Sequence, residues 1–140
     1  MKKIIIYADG GARGNPGPAG AGAVVLDEQQ NVLAEVSDFI GHTTNNVAEY
    51  KALIGGLRAA IKLFPGQTFD MHLDVRMDSQ LVIRQLQGKY KVKHPNLKPL
   101  FEQAKEFIGA YFPNISYEHV PREKNTLADA LANDAMDRGK

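Results

Sequence analysis

The alternation and clustering of apolar residues predict five strands along the chain. Residues 3–8 (KIIIYA) are a run of β-branched and aromatic residues, typical of a short buried strand that ends at Asp9. The polar segment DEQQN indicates a hairpin connection between the next two strands, so the first three strands are expected to be antiparallel. The remaining predicted strands are 20–26, 32–40, 69–77 and 115–120.

A second pattern, with apolar residues three or four positions apart, predicts helices. Over residues 47–64 it places Leu53 and Leu57 on one face, and Pro65-Gly66 ends the pattern. Further helices are predicted at 79–86, 100–112 and 126–138. The segments expected to be irregular connections, because of their glycine and proline content, are 9–20 and 88–99.

The resulting order, βββ-α-β-α-α-β-α, predicts an α/β fold in which helices pack on a mixed sheet. A length of 140 residues suits one ordinary domain, so residues 1–140 are expected to form a single domain. The hydrophobic content of 44% and charged content of 24% are usual for a globular protein. The sequence has no cysteine, which excludes disulfides and thiolate metal sites.

The apolar run near the N-terminus is short and is interrupted by Asp9. It therefore matches neither the core of a signal peptide nor a membrane span. From this we expect a cytoplasmic protein that does not associate with a membrane. The sequence indicates no particular oligomer, and a monomer is the default expectation.

Four acidic residues stand in specific local settings although they are far apart in the chain. They are Asp9 in YADGG, Glu49 in TNNVAEY, Asp78 in MDSQL and Asp129 in LADALA. If the fold brings them together, their carboxylates repel and take up protons unless a cation neutralises them. Such oxygen ligands suit Mg²⁺ or Mn²⁺, which indicates metal-ion chemistry on phosphates. The formal net charge of +1 becomes clearly positive once these acids are set aside, as suits a nucleic-acid enzyme.

Each acid also has a purely structural explanation. Asp9 could be a polar residue that ends a strand before a glycine turn. Asn46 and Glu49 match a capping box, so Glu49 could close a helix N-terminus. Asp129 follows Thr126 at N-cap spacing and could be a favourable charge in a first helical turn.

Asp74 provides a comparison for Asp78. It is the same residue type in the same phase of the alternating strand, but it lies four residues earlier. Ligands in α/β sheets bind near strand ends, where Asp78 is predicted to lie. Asp74 is therefore expected to be merely solvated.

Taken together, the motifs around the four acids resemble those of ribonuclease H of the type 1 class. The matching segments are D-G-G-x-x-x-N-P-G at 9–17, T-N-N-x-A-E at 44–49, D-S-Q at 78–80 and A-D-x-L-A at 128–132. The similarity covers nearly all of residues 1–138. It implies the family fold, a five-stranded mixed sheet with flanking helices. It also implies an endonuclease that hydrolyses the RNA strand of RNA/DNA hybrids.

The resemblance implies which residues carry the chemistry. The catalytic residues, which are also the ligands of two Mg²⁺ ions, would be Asp9, Glu49, Asp78 and Asp129, and Mn²⁺ could replace Mg²⁺. Asp9 and Asp129 would hold the ion that activates the attacking water. Asp9, Glu49 and Asp78 would hold the ion that stabilises the leaving 3′-oxygen. The products would carry 5′-phosphate and 3′-hydroxyl ends.

The resemblance also implies that the substrate is recognised in its minor groove, where an RNA strand displays its 2′-hydroxyls. Asn45 and Gln80 would reach base edges there, while Thr44 and Asn46 would hold a phosphate of the DNA strand. Ordinary turn and cap chemistry would also explain the Thr-Thr-Asn-Asn sequence. The implied substrate-binding residues are Gly11, Ala12, Asn15, Thr44, Asn45, Asn46 and Gln80.

The chain departs from the family pattern in two places. It lacks the long basic protrusion of some bacterial members and has a lysine-rich stretch at 89–98 instead, where we expect contact with a nucleic-acid backbone. The segment before Asp129 is also short, without the long His-bearing loop of many members. His119 falls within the predicted strand 115–120 and is interpreted as structural. Arg122 could take over part of the role of the family histidine.

Two alternatives stay open beside cleavage of hybrids. Because A-form backbones are similar, the chain could also cleave double-stranded RNA. It could instead be a non-catalytic hybrid-binding module, although a binder would gain nothing from acids that repel phosphates. Transposase- and resolvase-type nucleases share the acidic cluster, but they leave the TNN and DSQ segments unexplained.

Overall fold

The computed structural model describes residues 1–139, in which five strands form one sheet. The strands are β1 (Lys2–Ala12), β2 (Gly17–Asp27), β3 (Val32–Thr43), β4 (Met71–Met77) and β5 (Ile115–His119). Their order across the sheet is β3-β2-β1-β4-β5. β1 pairs antiparallel with β2 and parallel with β4, and β4 pairs parallel with β5. The predicted fold class, a five-stranded mixed sheet flanked by helices, is confirmed.

Four helices accompany the sheet, and their ends lie within two residues of the predicted ends. They are α1 (Asn45–Leu63), α2 (Gln80–Leu86), α3 (Lys98–Tyr111) and α4 (Thr126–Arg138). The hydroxyl of Thr44 accepts the Val47 N–H at 3.3 Å and caps α1, and Ser79 caps α2 in the same way. Among the helices described, none is both long and apolar enough to cross a membrane.

β1 extends beyond its predicted end. It continues to Ala12, and Asp9 pairs with Gly22 of β2 inside the ladder. The prediction that Asp9 ends a strand is therefore wrong, because the small residues after it continue the antiparallel pairing with β2. On its other edge, the ladder of β1 with β4 stops at the pair Ala8 and Met77. It is thus β4, and not β1, that ends beside Asp9.

The main core lies between one face of the sheet and α1. Ile4 and Ile6 of β1 pack there with Leu53 and Leu57 of α1, and all four are fully buried. β1 and α1 come unusually close at Gly10, where a β-carbon would lie 2.2 Å from the carbonyl carbon of Ala48 and 2.4 Å from the Glu49 nitrogen. This close approach brings the start of α1 directly against β1.

The helix α4 packs on the opposite face, against two glycines of β2. A β-carbon at Gly20 would lie 2.4 Å from the Ala132 carbonyl oxygen, and one at Gly22 would lie 2.3 Å from that of Ala128. The facing helix surface includes the small, buried side chains of Ala128 and Ala132, beside parts of Leu131 and Met136. Because Gly22 pairs with Asp9, this packing brings the first turn of α4 to Asp9.

Asp74 is not solvated, which corrects the prediction made for it. It is only 6% exposed. Its Oδ2 accepts the Nε–H of Arg76 at 2.9 Å, its Oδ1 accepts the Ser116 hydroxyl at 3.1 Å, and Lys3 Nζ lies 3.9 Å away. The reason is that β4 lies between two other strands, so side chains from both neighbours enclose the carboxylate.

Candidate active site

Asp9 and Asp78 lie side by side because β1 and β4 are parallel and in register. The pairing of Ala8 with Met77 places the residue that follows each of them at the same level of the sheet. Asp9 is only 8% exposed, and Asp78 is half-buried at the end of β4. The two acids are therefore neighbours although 69 positions separate them in the chain.

Glu49 joins them from the beginning of α1. Its Oε1 accepts the backbone N–H of Gly10 at 2.6 Å. Because β4 has ended at this level, that N–H has no strand partner on this edge, and Glu49 supplies one. The alternative that Asn46 and Glu49 form a capping box is wrong, because Thr44 is the cap of α1.

Asp129 approaches the same place from the first turn of α4. It is half-buried, and its Oδ1 lies 3.8 Å from a guanidinium nitrogen of Arg122. The Arg122 side chain is 79% exposed, so this ion pair is weak and free to rearrange. The predicted position in a first helical turn is confirmed, although the N-cap position is Asn125 and not Thr126, and Asp129 lines the same cavity as the other three acids.

A cavity of about 430 Å³ opens onto these acids. Asp9, Glu49 and Asp78 each offer one oxygen atom, and these oxygens lie within 4.8 Å of one another. The Oε2 of Glu49 is buried and has no hydrogen-bond partner. A buried carboxylate oxygen without a donor is unfavourable, whereas Mg²⁺ and similar cations take such oxygens as ligands. The three carboxylates therefore fit a divalent cation.

Burial and mutual repulsion change the acidity of the cluster. Burial is the largest cause that raises the pKa of Asp9, and the neighbouring Glu49, Asp78 and Asp129 raise it further. Burial also raises the pKa of Glu49, although the neighbouring Asp9 carboxyl and the Gly10 N–H act in the opposite direction. Without a cation, the raised pKa values of Asp9 and Glu49 therefore keep protons on this pair at a pH where ordinary carboxyl groups have lost them.

The loop after β1 and the start of α1 form a polar rim beside the cavity. The side-chain oxygen of Asn45 accepts the Ala12 N–H at 2.7 Å, and the Asn45 N–H donates to the side-chain oxygen of Asn15 at 3.0 Å. These bonds tie the loop to the helix and use only the oxygen of the Asn45 carboxamide. Of the predicted substrate-binding residues, the cavity is lined by Gly11, Ala12, Asn45 and Asn46. Those outside its lining are Asn15, Thr44 and Gln80.

His119 pairs with Met77, the residue before Asp78, and the lysine-rich stretch lies outside the lining of the cavity. His119 is the last residue of β5, is exposed, and does not line the cavity. Its interpretation as structural stays a prediction, and Arg122 is the residue of the shortened loop that does line the cavity. The stretch 89–98 connects α2 to α3, and Gln85 holds it by donating to the Lys91 carbonyl at 3.4 Å.

Arg13 and Asn125 are polar residues of this region that sequence reasoning missed. Arg13 lines the cavity and pairs with Asp137 at 2.6 Å, which ties the rim to the far end of α4. Asn125 lies beneath the acids and donates a hydrogen bond to Asp78. The sequence offered one signal for Asn125, a cap-forming residue type four positions before Asp129, but that pattern also describes an ordinary helix start.

Comparison with known proteins relates this geometry to a family. A family model described as reverse transcriptase-like matches residues 7–135. The bifunctional protein Rv2228c of Mycobacterium tuberculosis is 55% identical over 136 residues, which cover 96% of this chain and 36% of that protein. The chain thus spans about a third of the length of the mycobacterial relatives it matches. Ribonuclease HI of Halobacterium salinarum is 44% identical over 135 residues, which cover 96% of this chain and 65% of the relative.

Solved structures agree with these relatives. LC11-RNase H1, isolated from compost by a metagenomic approach, has a TM-score of 0.93 and 54% identity, over 99% of this chain and 98% of that one. The same protein in complex with an RNA/DNA hybrid has a TM-score of 0.92 and 53% identity, over 96% of this chain and 97% of that one. The matched region includes every element that carries one of the four acids. The chain therefore belongs to the ribonuclease H family of hydrolases, in its type 1 class.

Proposed function

We propose that this chain is an endonuclease that hydrolyses the RNA strand of RNA/DNA hybrids. The observation that carries the proposal is the buried carboxylate of Glu49, which offers an oxygen within 4.8 Å of oxygens from Asp9 and Asp78 and whose Oε2 has no hydrogen-bond partner. A cluster of this kind is unfavourable unless cations bind it, and a pure binding module would gain nothing from it. The structure of LC11-RNase H1 with an RNA/DNA hybrid, at 53% identity, supports the same substrate for this chain.

The proposed ligand sets are those that the resemblance to type 1 ribonuclease H implies. Asp9, Glu49 and Asp78 would hold one divalent cation, and Asp9 with Asp129 would hold a second. Mg²⁺ is the proposed ion, with Mn²⁺ as a substitute, because both prefer oxygen ligands. When bound, the two ions supply a water activated for attack on the phosphate and charge stabilisation for the leaving 3′-oxygen. The products of this cleavage carry 5′-phosphate and 3′-hydroxyl ends.

The protein itself contributes position and a shielded environment. The Gly10 N–H fixes one oxygen of Glu49 and leaves the other for a ligand bond. The parallel register of β1 and β4 fixes Asp9 relative to Asp78. Since both strands and α1 belong to the packed core, these carboxylates need little rearrangement before the reaction. A nucleophilic side chain is not required, because water is the nucleophile.

Recognition of the hybrid is assigned to the polar rim. The carboxamide of Asn45 has its oxygen bonded to Ala12, so its N–H groups are the part that can meet a base edge in the minor groove. The backbone at Gly11 and Ala12 follows the RNA strand, and Asn15 acts by holding Asn45. The remaining proposed contacts are a base edge for Gln80 and a DNA-strand phosphate for Thr44 and Asn46.

The stretch 89–98 is proposed to contact the nucleic-acid backbone through its lysines. It is mostly exposed and contains no acidic residue. Tyr50 donates to Gln85 at 2.5 Å, and Gln85 donates to the Lys91 carbonyl, so the stretch is connected to the helix that carries Glu49. Affinity from this source depends strongly on salt. We further propose that residues 1–140 act as one catalytic domain and as a monomer.

Cleavage of matched duplexes tests the proposal. A hybrid labelled on its RNA strand is incubated beside RNA/RNA and DNA/DNA duplexes of the same sequence, with Mg²⁺, Mn²⁺ or a chelator. We expect metal-dependent cutting of the RNA strand of the hybrid and no cutting of DNA/DNA. Ligation and primer extension of the fragments then report the 5′-phosphate and 3′-hydroxyl ends.

Two other outcomes decide between the alternatives. Cutting of the RNA/RNA duplex at a comparable rate would extend the substrate range to double-stranded RNA. Binding of the hybrid without cutting, under any metal, would reject the enzyme and favour the binding module. The monomer is checked separately by the molar mass from light scattering.

A further inference from the structure

Asn125 is almost completely buried at the start of α4, beneath the carboxylate cluster. It is 1% exposed. An asparagine at this position usually caps the helix by accepting an N–H of the first turn, but the side chain of Asn125 makes no such bond. Its Nδ2 instead donates to the carbonyl oxygen of Ala8 at 2.9 Å and to Oδ1 of Asp78 at 3.0 Å. The side chain thus forms its hydrogen bonds with β1 and with the end of β4, and not with its own helix.

These two hydrogen bonds connect three of the segments that build the site. Ala8 immediately precedes Asp9 in β1, and Asp78 immediately follows β4. The backbone carbonyl of Asn125 also accepts the Asp129 N–H at 3.1 Å, which starts α4. One residue is therefore bonded to the segments that carry Asp9, Asp78 and Asp129.

Stability alone does not account for asparagine at this position. Its side-chain oxygen is buried and has no hydrogen-bond partner, which is unfavourable. The helix also loses the stabilisation that a capping side chain would give. Sequences depart from local rules of this kind mainly at functional sites.

We propose that Asn125 is a positioning residue, which holds the Asp78 carboxylate and the first turn of α4 in the arrangement that binds the catalytic cations. This inference rests on the proposed function. A primary amide is the neutral group that places two N–H donors on one nitrogen, so it can bond a carbonyl and a carboxylate at once. Because one donor holds Oδ1 of Asp78, the orientation of this ligand is fixed before a cation arrives. Groups that orient metal ligands in this way strengthen metal binding.

The test compares Asn125→Ala with Ser37→Ala. Both changes remove side-chain hydrogen bonding that tethers α4, since the hydroxyl of Ser37, on the edge strand β3, donates to the Leu131 carbonyl at 2.7 Å. The readouts are the rise in Tm caused by Mg²⁺ or Mn²⁺ without substrate, the metal concentration for half-maximal cleavage, and kcat and KM for the hybrid.

For N125A we expect the half-maximal metal concentration to increase about tenfold, with a smaller metal-induced rise in Tm. We expect kcat to fall, while KM for the hybrid stays within about twofold, because substrate contacts are untouched. S37A should lower Tm but keep the metal requirement of the wild type. This pair separates positioning of the ligands from general stability.

An unchanged metal requirement and an unchanged metal-induced rise in Tm in N125A would overturn the proposal. So would an S37A variant that loses both responses to the same degree. If N125A does not fold, Asn125→Ser, which keeps one donor on a shorter side chain, is judged by the same criteria. The rise in Tm is read without nucleic acid. If the wild type did not cut the hybrid, a lost metal response in N125A would still support the role of Asn125 while the proposed function failed.

Discussion

The backbone N–H of Gly10 donates to Oε1 of Glu49 at 2.6 Å, across a gap between strand and helix that only a glycine leaves open. A β-carbon at residue 10 would collide with the backbone of Ala48, which cannot move without moving α1. The position of Glu49, a proposed metal ligand, therefore depends on the absence of a side chain at residue 10 of β1. This relationship gives the most direct test of how the site is held.

Gly10→Ala should separate β1 from α1 and displace Glu49. We expect a loss of at least about 2 kcal/mol in the free energy of unfolding, because the collision is with backbone and cannot be relieved by a rotamer change. Urea denaturation measures the loss. Gly11→Ala is the matched control for stability, since its β-carbon would meet only the flexible end of Met136 at 3.5 Å. Equal stability of G10A and the wild type would contradict this account of the contact.

Asp9→Asn should abolish cleavage while hybrid binding persists or improves. The substitution removes the carboxylate that both proposed cations share, and it also removes a negative charge that faces the phosphates. Gel-shift binding and cleavage are measured on the same hybrid. Asp70→Asn changes an exposed acid outside the site and should keep the cleavage rate. A D9N variant that still cuts would show that the reaction does not depend on this cluster.

The stability of the metal-free protein should fall as the pH rises. The pKa values of Asp9 and Glu49 are raised in the folded state, so the folded protein binds more protons than the unfolded chain once the pH exceeds the ordinary carboxyl value of about 4. Stability is therefore lost progressively from that pH up to the raised pKa values. Tm in the presence of a chelator measures this trend. In D9N, Tm should fall less steeply with rising pH. Saturating Mg²⁺ should also reduce the fall in Tm of the wild type, because the cation replaces the protons. A Tm of metal-free wild type that is flat over this range, or that rises with pH, would contradict the assignment.

Asp74→Ala should destabilise the protein without affecting its use of metal. The change leaves the guanidinium of Arg76 and the Ser116 hydroxyl without their buried partner, at a cost of about 3 kcal/mol. Glu118→Ala is the control, because Glu118 pairs with the same arginine but is 57% exposed. In denaturant unfolding, D74A should lose clearly more free energy of unfolding than E118A. A change in the metal requirement of D74A would instead place Asp74 in the site.

Replacing Lys91 and Lys93 together by glutamine should weaken binding of any nucleic-acid duplex. Each lost phosphate contact lowers the slope of log affinity against log salt by about 0.9, so the double change should lower it by about 2. Binding measured across a salt series gives this slope. Lys62→Gln is the control, because Lys62 lies in the last turn of α1, at the opposite end of the helix from Asn45. An unchanged slope would mean that the stretch 89–98 does not touch the backbone.

Most of the fold could be predicted because hydrophobic periodicity dominates its helices and central strands. All four helices were placed within two residues, since each has an apolar face that ends at a clear stop signal. The end of β1 was wrong for a physical reason. Its last residues are small and glycine-rich, which looks like a loop, but they pair with equally small residues of β2 so that α4 can lie close.

The four acids of the site could be proposed from motifs, whereas their supporting contacts could not. Asp74 and Asp78 look alike in the alternating strand, and only the neighbouring strands decide that Asp74 is buried in an ion pair. Asn125 has the sequence signature of a helix cap, and only the tertiary structure reveals that it turns toward Asp78. Local sequence patterns predict the contacts of a residue within its own helix or strand. The contacts of Asp74 and Asn125 are with other elements, so the patterns do not predict them.

The four acids come from four different segments of the chain, and no two of them are closer than 29 positions. Asp9 and Asp78 meet only after β1 and β4 have paired, and Asp129 arrives only when α4 docks on the glycines of β2. A partly folded chain, or a fragment that lacks one element, therefore has no complete catalytic centre. The proposed nuclease would be inert toward RNA until its folding is finished, so that cleavage itself would report the fully folded state.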